Sequence, residues 1–447
     1  MQPPLSPRSD AVARSVEGGP APEPALHLPR GDTVRSSAVT GNEAVFEISF
    51  YDLPAQRLAQ AGATLSRRTE NGQGIWRLEA PRADGGLLEL EELGGPVALP
   101  KAIRKVLPAF LRGARPEQFL RLRVHRGEVQ DDVDVLEGTR SNGSLVVAPG
   151  GLGAAVLKLV QKRSDAADEP IGHLRSVLAR QYAEILRHDP GVRLDLDVED
   201  VHRLRVAVRR ARAVLRAARP LLDPNWSEPL RAELKWLGGS LGARRDLDVL
   251  VARLRAQVEG LDQPERATAE ALVDALEQER ETAQALAIEA LSSPRYFSLL
   301  DMLESAAQGP RVRRGEISLS SLAGREFRRL RKTAAKLRPD SSDEELHRAR
   351  ILGKRARYAT ELAEPELGKA GRRFVARAKA FQDVLGAHQD AIVAEARLRG
   401  LLGATAGTGA AFAAGRLVEK ERARRREARK ALPRAWRKLE RSARAWA

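Results

Sequence analysis

Cysteine is absent from the 447-residue sequence, and aromatic residues make up only 4% of it. Without thiols, the chain cannot form disulfide bonds, thiolate zinc sites or iron–sulfur clusters, and it has no cysteine nucleophile. So few aromatic side chains argue against a surface that stacks single-stranded bases. No apolar run reaches the ~20 residues that span a bilayer, and the N-terminus lacks the charged start and apolar core of a signal peptide. These absences predict a cytoplasmic protein without a membrane span.

Positive charge is present in excess, with 76 Lys and Arg residues against 60 Asp and Glu and a net charge of +16. The excess is uneven, because residues 1–165 carry a net charge of +1 and residues 166–447 carry +15. A field of that sign attracts polyanions such as nucleic acid, anionic lipid or a phosphate polymer. A basic surface that only maintains solubility is the alternative, and the pattern of charge must decide between them.

The first 165 residues divide into two segments of different composition. Residues 1–40 are rich in proline and lack an apolar period, which predicts a flexible leader. Residues 41–165 contain short apolar runs and alternating stretches such as Arg121 to His125, separated by glycine-rich turns. This pattern predicts antiparallel β structure with one helix from Lys101 to Leu111.

The remaining residues, 166–447, consist of long Ala/Leu/Arg/Glu segments separated by breakers such as Asp189-Pro190-Gly191. Because these four residue types favour helices, this region predicts an all-α domain. The predicted fold class is therefore α+β in two domains, an antiparallel β domain followed by a helical one.

An internal repeat divides the helical region. The segment from Val201 to Arg212 recurs 145 residues later as the segment from Leu346 to Arg357, with the histidine and four arginines retained. A second match, Leu241 to Asp246 with Leu385 to Asp390, follows at an offset of 144. Two matches in the same order predict two halves, about 166–310 and 311–447, related by duplication and by a pseudo-twofold axis.

The repeated segment places its cations on one helix face. In the first copy, spacings of three and four residues give the stripe His202, Arg205, Arg209, Arg212 and Arg216. In the second copy the stripe is His347, Arg350, Lys354 and Arg357. Like charges at this spacing destabilise a helix, and neither stripe contains an interleaved acid. A solvated basic face or pairing with acids of other helices would explain one stripe, but its retention in both copies favours a shared anion-binding cleft.

Rows of cations ~5–6 Å apart suit rows of phosphates, which arginine binds through two N–H groups and lysine through a point charge. The nearby cations Lys235, Arg244, Arg245, Arg328 and Lys332 are candidates for the same site. We expect the histidines to bind rather than to catalyse, since no nucleophile or second histidine lies near them in sequence. No catalytic residue, metal ligand or cofactor is predicted.

These residues resemble the CHAD family of helical domains. The pattern His-x-Leu-Arg-Val-x-x-Arg-Arg-x-Arg at 202–212 and the stretch Leu-Gly-Ala-Arg-Arg-Asp-Leu-Asp-Val at 241–249 are similar to its two marks. The resemblance implies two four-helix bundles around a basic groove that binds inorganic polyphosphate. By this resemblance, the residues expected to bind polyphosphate are His202, Arg205, Arg209, Arg210, Arg212, His347, Arg350, Lys354, Arg355 and Arg357. Ala349 and Gly353 depart from the first copy, and we expect looser packing there.

Residues 41–165 resemble a CYTH domain, the triphosphate-tunnel fold, in Phe50 to Pro54, Gly62 to Thr69 and Trp76 to Pro81. Active members open with a Glu-x-Glu-x-Lys strand, which is not found here, and Glu79 stands where a lysine is expected. Ser144 to Val147, in the place of a late acidic strand, has no carboxylates. A metal-dependent hydrolase needs such carboxylates, so this domain is predicted to be degenerate and non-catalytic.

The leading hypothesis from the sequence is a non-enzymatic protein that binds polyphosphate and associates with polyphosphate granules. A metal-dependent triphosphatase in the N-terminal domain is the second hypothesis. Non-specific binding of nucleic acid is the third, since the charge permits it but no base-reading motif supports specific recognition.

Overall fold

A computed structural model describes residues 45–70, 72–125, 132–138, 153, 156, 157, 170–263, 265–313, 318–338, 340–402 and 408–446. The predicted leader at 1–40, the segment Ser144 to Val147 and the predicted domain boundary near 165 lie outside the described residues. Within them the chain has the predicted α+β organisation, with an antiparallel sheet followed by helices. None of the helices in these ranges is both long and apolar enough to cross a bilayer.

The sheet has six antiparallel strands within the described ranges, in the order β4-β3-β2-β1-β5-β6. The strands are β1 (Val45–Asp52), β2 (Thr64–Glu70), β3 (Gln73–Pro81), β4 (Leu87–Leu93), β5 (Glu117–His125) and β6 (Asp132–Gly138). On β3, Trp76, Leu78 and Ala80 are buried, whereas Arg77 and Glu79 are partly exposed. This alternation is the period of two that a sheet with one buried face requires.

Three short helices accompany the sheet: α1 (Arg57–Ala61), α2 (Lys101–Val106) and α3 (Pro108–Leu111). The prediction of one continuous helix from Lys101 to Leu111 is therefore wrong, because two helices occupy this segment. Pro108 has no backbone N–H, and proline disfavours the helical conformation of the residue before it. Leu107 leaves that conformation at φ −101° and ψ 15°, which separates the two helices.

Ten longer helices follow in the described part of the chain. They are α4 (Pro170–Leu194), α5 (Val198–Ala217), α6 (Pro224–Ser240), α7 (Gly242–Val258), α8 (Glu265–Leu291), α9 (Pro294–Gln308), α10 (Leu319–Ala334), α11 (Asp343–Leu362), α12 (Glu364–Leu402) and α13 (Thr408–Ala443). By sequence offset, α5 corresponds to α11, and α6 and α7 together correspond to the single helix α12.

The predicted break at Asp189-Pro190-Gly191 does not occur, because α4 continues through Pro190 to Leu194. Asp189 is fully buried, accepts hydrogen bonds from Arg193 at 2.5 and 3.2 Å, and accepts another from the Tyr296 hydroxyl at 3.0 Å. These contacts hold the helix on both sides of the proline, so tertiary interactions override its local effect.

The two repeated helices begin with different caps. At α11, the Ser342 side chain accepts from the Glu345 N–H and the Glu345 carboxylate accepts from the Ser342 N–H, and the two bonds form a capping box. At α5, Asp197 accepts from the Glu199 N–H at 2.8 Å. Asp200 does not return the contact; it is buried and lies 2.8 Å from Nδ1 of His188.

Apolar stripes of the two repeated helices are buried in the cores of the helical region. On α5 the buried residues Leu204, Val208, Ala211 and Leu215 recur at three or four residues, which is the period of a helix with one apolar face. The first of the cores runs from the sheet into α4, α5, α6 and α9, and it also takes in residues of α8, α10 and the C-terminal end of α11. Another joins α10, α11, α12 and α13, and a further one joins α7 and α8 to α12 and α13. These cores leave the cationic faces of α5 and α11 free to meet.

Packing around Gly353 corrects the expectation of a loose second copy. A β-carbon at this glycine would lie 3.3 Å from the ring of Phe381. Phe381, Ala349 and Gly353 are all buried. The ring of α12 therefore occupies the space that a larger side chain on α11 would need, and the interface is closely packed.

A buried ion cluster attaches the sheet domain to the helices. Arg57 of α1 donates two hydrogen bonds to the Glu304 carboxylate of α9, at 2.9 and 3.0 Å. Arg112 donates to the Tyr182 hydroxyl at 2.6 Å and to Glu304 at 3.3 Å. The Glu304 side chain is 13% exposed and that of Arg112 is 2% exposed. Each charge therefore depends on the others for its stabilisation.

We expect Glu304→Ala to lower the free energy of unfolding by about 3 kcal/mol, because the buried Arg57 loses its carboxylate and the buried Arg112 keeps only the exposed Asp301. Denaturant titration of the full chain measures this loss. Asp301→Ala is the matched control, since Asp301 also pairs with Arg112, at 2.7 Å, but its side chain is 60% exposed. The control should cost less than about 1 kcal/mol, and an equal loss in both variants would contradict the account.

Candidate functional site

The repeated helices α5 and α11 pack against each other, and together with α6 and α10 they enclose a cavity of about 920 Å³. Eleven Lys and Arg side chains line it, together with His347, against two acids, Glu228 and Glu326. The cations are Arg209, Arg212, Arg216, Arg219, Arg231, Lys235, Arg325, Arg329, Arg350, Lys354 and Arg355. The cavity is therefore strongly electropositive.

Three of these cations are already paired. Arg219 and Arg231 lie 3.0 and 2.5 Å from the Glu228 carboxylate, and Arg329 lies 2.7 Å from Glu326. The other eight have no Asp or Glu oxygen within 4.0 Å in the part of the chain that the structure describes. They are Arg209, Arg212, Arg216, Lys235, Arg325, Arg350, Lys354 and Arg355. Uncompensated charge on this scale is costly unless an anion binds there.

Mutual repulsion is visible in the acid–base properties of the cavity. Burial, together with Arg350 and Arg209, lowers the pKa of Lys354 to about 7. Burial and the neighbouring charge of Arg355 also lower the pKa of Arg216. The buried Nε atoms of Arg350 and Arg355 have no hydrogen-bond partner among the described residues. An anion in the cavity would supply both the missing charge and the missing acceptors.

Tyr358 separates the cations at the crossing of the two helices. Its hydroxyl accepts a hydrogen bond from Nε of Arg209 at 3.4 Å, and the Arg357 guanidinium lies 4.6 Å from its ring centre. The ring is buried, with 2% of the residue exposed. Tyr358 therefore positions the Arg209 and Arg357 guanidinium groups, and its ring face is already covered.

Half of the residues predicted from the sequence line the cavity. They are Arg209, Arg212, Arg216, Lys235, His347, Arg350, Lys354 and Arg355. The other eight do not, namely His202, Arg205, Arg210, Arg244, Arg245, Arg328, Lys332 and Arg357. The structure thus brings together cations from both copies, with the second copy of the motif contributing more of its residues.

Carboxylates of other residues neutralise several of those outside the cavity. Arg205 donates to the Gly242 carbonyl at 2.7 Å and to Asp246 at 2.9 Å. Arg357 pairs with Glu361 at 3.2 Å, and Arg210 lies 4.0 Å from the same carboxylate oxygen. These contacts leave the three arginines less available to a ligand than the cavity cations.

Arg244 is a structural residue in this fold. It is fully buried and pairs with Asp248 at 3.0 Å and with Asp195 at 2.6 Å. Its neighbour Arg245 is half-buried and donates to the Val198 carbonyl at 3.4 Å. The two arginines point in different directions because successive residues on a helix are separated by about 100°.

The two equivalent histidines have different surroundings. His347 is exposed, lines the cavity, and lies with Nδ1 at 3.2 Å from Oε1 of Gln389. His202 is half-buried, and burial together with the charge of Arg245 lowers its pKa. A neutral His202 away from the cavity is suited to packing, whereas His347 is placed to donate a hydrogen bond to an anion.

On α10, the cavity is lined by Arg325 and Arg329 rather than by the predicted Arg328 and Lys332. All four side chains are exposed, and Phe327 and Leu330 form the buried face between them. Residue spacing alone gives two basic stripes on α10, one with Arg325 and Arg329 and one with Arg328 and Lys332. It does not show which of the two faces the cavity. Arg219, Arg231 and Tyr358 were also missed, although Arg219 continues the three-residue spacing from Arg216 and Arg231 lies one turn before Lys235.

The family model of the CHAD domain matches residues 176–399, half of the chain. The chain belongs to the CHAD domain family. The matched range contains all four helices that line the cavity. It leaves out the N-terminal sheet, whose resemblance to a CYTH domain stays a prediction.

One curated relative and two solved structures are similar to this chain over much of its length. The uncharacterized protein Rv2226 of Mycobacterium tuberculosis is 26% identical, with 95% of this chain and 98% of that protein covered. PptA from Streptomyces chartreusis is 28% identical with a TM-score of 0.51, covering 59% of this chain and 98% of that one. The crystal structure of the CHAD domain from the plant Ricinus communis is 28% identical with a TM-score of 0.50, covering 61% and 92%.

The uncompensated charge of Lys354 in this CHAD domain should reduce stability in a pH-dependent way. Its pKa of about 7 in the folded chain lies below the ~10.4 of an unfolded lysine. Between these values the unfolded chain binds the extra proton, so stability rises with pH across this window. Below pH 7 Lys354 is charged in both the folded and the unfolded chain. The full cost of burying its charge then lowers the free energy of unfolding.

We therefore expect Lys354→Met to raise the melting temperature of the ligand-free protein by roughly 4 °C at pH 6. The advantage should shrink toward pH 10, because the wild-type penalty disappears there. Differential scanning calorimetry in phosphate-free buffer measures both. Lys369→Met, on α12 outside the cavity, is the control and should show no such trend. A destabilised K354M at pH 6 would show that a protein anion already neutralises Lys354.

Proposed function

We propose that this CHAD protein binds inorganic polyphosphate in the cavity between α5 and α11, without chemical change to the polymer. The observation that carries the proposal is the set of eight cavity cations that lack a carboxylate partner in the described chain. They come from both copies of the repeat and converge on one space. A multivalent anion is the ligand that relieves their repulsion most completely.

The spacing of the cations suits a linear phosphate polymer. Arg209, Arg212 and Arg216 follow one another at three and four residues along α5, which places them ~5–6 Å apart. Arg350 and Lys354 are spaced by four residues on the facing helix α11. Each arginine can bind two oxygens of one phosphate, and Lys354 adds a point charge. A chain running between the helices would meet cations on both sides.

Nucleic acid fits the walls of the cavity less well. Between the cations the lining is aliphatic, with Ala213, Ala217 and Ile351, and Tyr358 is the one Phe, Tyr or Trp among the described lining residues. Because Arg357 covers the Tyr358 ring and the residue is buried, this ring is not free to stack on a base. A polymer made of phosphate alone has no bases to accommodate.

The N-terminal sheet acts as a scaffold in this proposal. On β1, alternate positions place Glu47, Ser49 and Tyr51 on one face. The Glu47 carboxylate lies 2.5 Å from Arg121 and 3.0 Å from Arg123, and these hydrogen bonds lower the pKa of Glu47. A Mg²⁺ site needs carboxylates that are free of such pairing, so this face is poorly suited to the hydrolase that the second hypothesis requires.

Association with polyphosphate granules follows from the binding proposal, since a granule presents many copies of the same polymer. The site would then hold the protein on the granule through several ionic contacts, each of which releases counterions. Such an attachment should weaken as salt increases.

Polyphosphate titration of a cavity variant tests the proposal. In R209Q/R212Q/R350Q/K354Q, four of the uncompensated charges are lost, and affinity for long-chain polyphosphate should fall by at least about a hundredfold. The matched control R266Q/R372Q/R399Q/R426Q removes the same charge from exposed, paired arginines outside the cavity. Its affinity should stay within about threefold of wild type. Calorimetric titration at fixed ionic strength measures both.

Equal losses in the two variants would show that only net charge matters, and the site assignment would be wrong. Competition with DNA at matched phosphate concentration ranks the third hypothesis. Release of orthophosphate from tripolyphosphate with Mg²⁺ or Mn²⁺, abolished by Glu47→Ala, would instead establish the triphosphatase.

A further inference from the structure

One pair of equivalent positions on α5 and α11 carries opposite charges. The offset of 145 residues that relates His202 to His347 and Arg210 to Arg355 also relates Arg216 to Glu361. A cation of the first copy is therefore an acid in the second. Arg216 lines the cavity, and Glu361 lies outside it.

Contacts of these residues obey the same pseudo-twofold relation. In the cavity, Arg216 is close enough to Arg355 for that charge to lower the pKa of Arg216. Outside the cavity, the equivalent pair is Glu361 with Arg210, whose Oε1 and Nη2 atoms lie 4.0 Å apart. Repulsion between two cations in the cavity thus becomes attraction between an acid and a cation outside it.

Two guanidinium groups converge on one oxygen of Glu361. Nε of Arg357 lies 3.2 Å from Oε1, and Nη2 of Arg210 lies 4.0 Å from the same atom. Neither contact is a hydrogen bond within the described chain, so Glu361 neutralises the two arginines by charge alone, as a phosphate oxygen between them would. The side chain of Arg210 is 45% exposed and that of Glu361 is 23% exposed, so solvent reaches this cluster.

We propose that Glu361 is a specificity-determining residue, a built-in anion that occupies a second oxyanion site formed by Arg210 and Arg357. By filling that site, it confines polyphosphate to the cavity. The inference rests on the proposed function and deepens it, because it explains why a duplicated motif offers one open anion site. Loss of the carboxylate frees both arginines for a phosphate group of the same polymer.

The test begins from the cavity variant R212Q/R216Q/R325Q/R355Q, which leaves Arg210, Arg357 and Glu361 intact. Addition of E361Q should tighten its binding of long-chain polyphosphate about fivefold, because the two arginines lose their competitor. Further addition of R357Q should remove the gain. The matched control is E364Q, which changes charge equally next to the site, since Glu364 pairs with the exposed Arg372. It should give no gain.

The outcomes separate this inference from the proposed function. Absence of polyphosphate binding by the wild type would overturn both. Binding by the wild type, weakened in the cavity variant and improved no more by E361Q than by E364Q, would overturn the inference alone. Should E361Q melt well below its parent, Glu361→Met provides a second neutral variant with the same expected gain.

Discussion

The structure of this CHAD domain depends on one constraint: the fold brings like charges together and does not neutralise them. Two helices with the same cationic stripe pack against each other, so repulsion across their interface must be overcome elsewhere. Leu204 and Val208 on α5 and Ala349 and Ala356 on α11 are buried against separate cores, which hold the helices in place. Hydrophobic burial thus keeps the cations preorganised, and a ligand finds them in position without a further ordering cost.

The duplication that the internal repeat predicts would supply both stripes, and the two copies are now unequal. The first copy gives Arg209, Arg212 and Arg216 to the cavity, whereas its Arg205 is held by Asp246. The second copy gives His347, Arg350, Lys354 and Arg355. Its Glu361 replaces the terminal cation of the stripe and pairs with Arg357. An exact repeat would present the same charge at both equivalent positions, and Glu361 breaks that equivalence.

Much of the fold could be predicted from the sequence, and half of the predicted binding residues line the cavity. Helical period and the repeat identified the cationic faces of α5 and α11, because residues three and four apart must share a face. The helical period does not show which neighbouring helix each cationic face packs against. Arg244 and Arg245 look alike in sequence, and only the approach of Asp195 and Asp248 makes Arg244 a buried structural residue. Arg325 and Arg328 likewise look alike in sequence and differ in their direction from α10. Arg325 lines the cavity and Arg328 does not.

The most direct measurement is a crystal structure of the protein with polyphosphate bound at moderate ionic strength. The account predicts phosphate groups between α5 and α11, with oxygens about 3 Å from Arg209, Arg350 and Lys354. It also predicts that Arg205 keeps its contact with Asp246. Polymer bound along another basic surface, such as the exposed face of α13, with Arg209, Arg350 and Lys354 making no contact to it, would contradict the account.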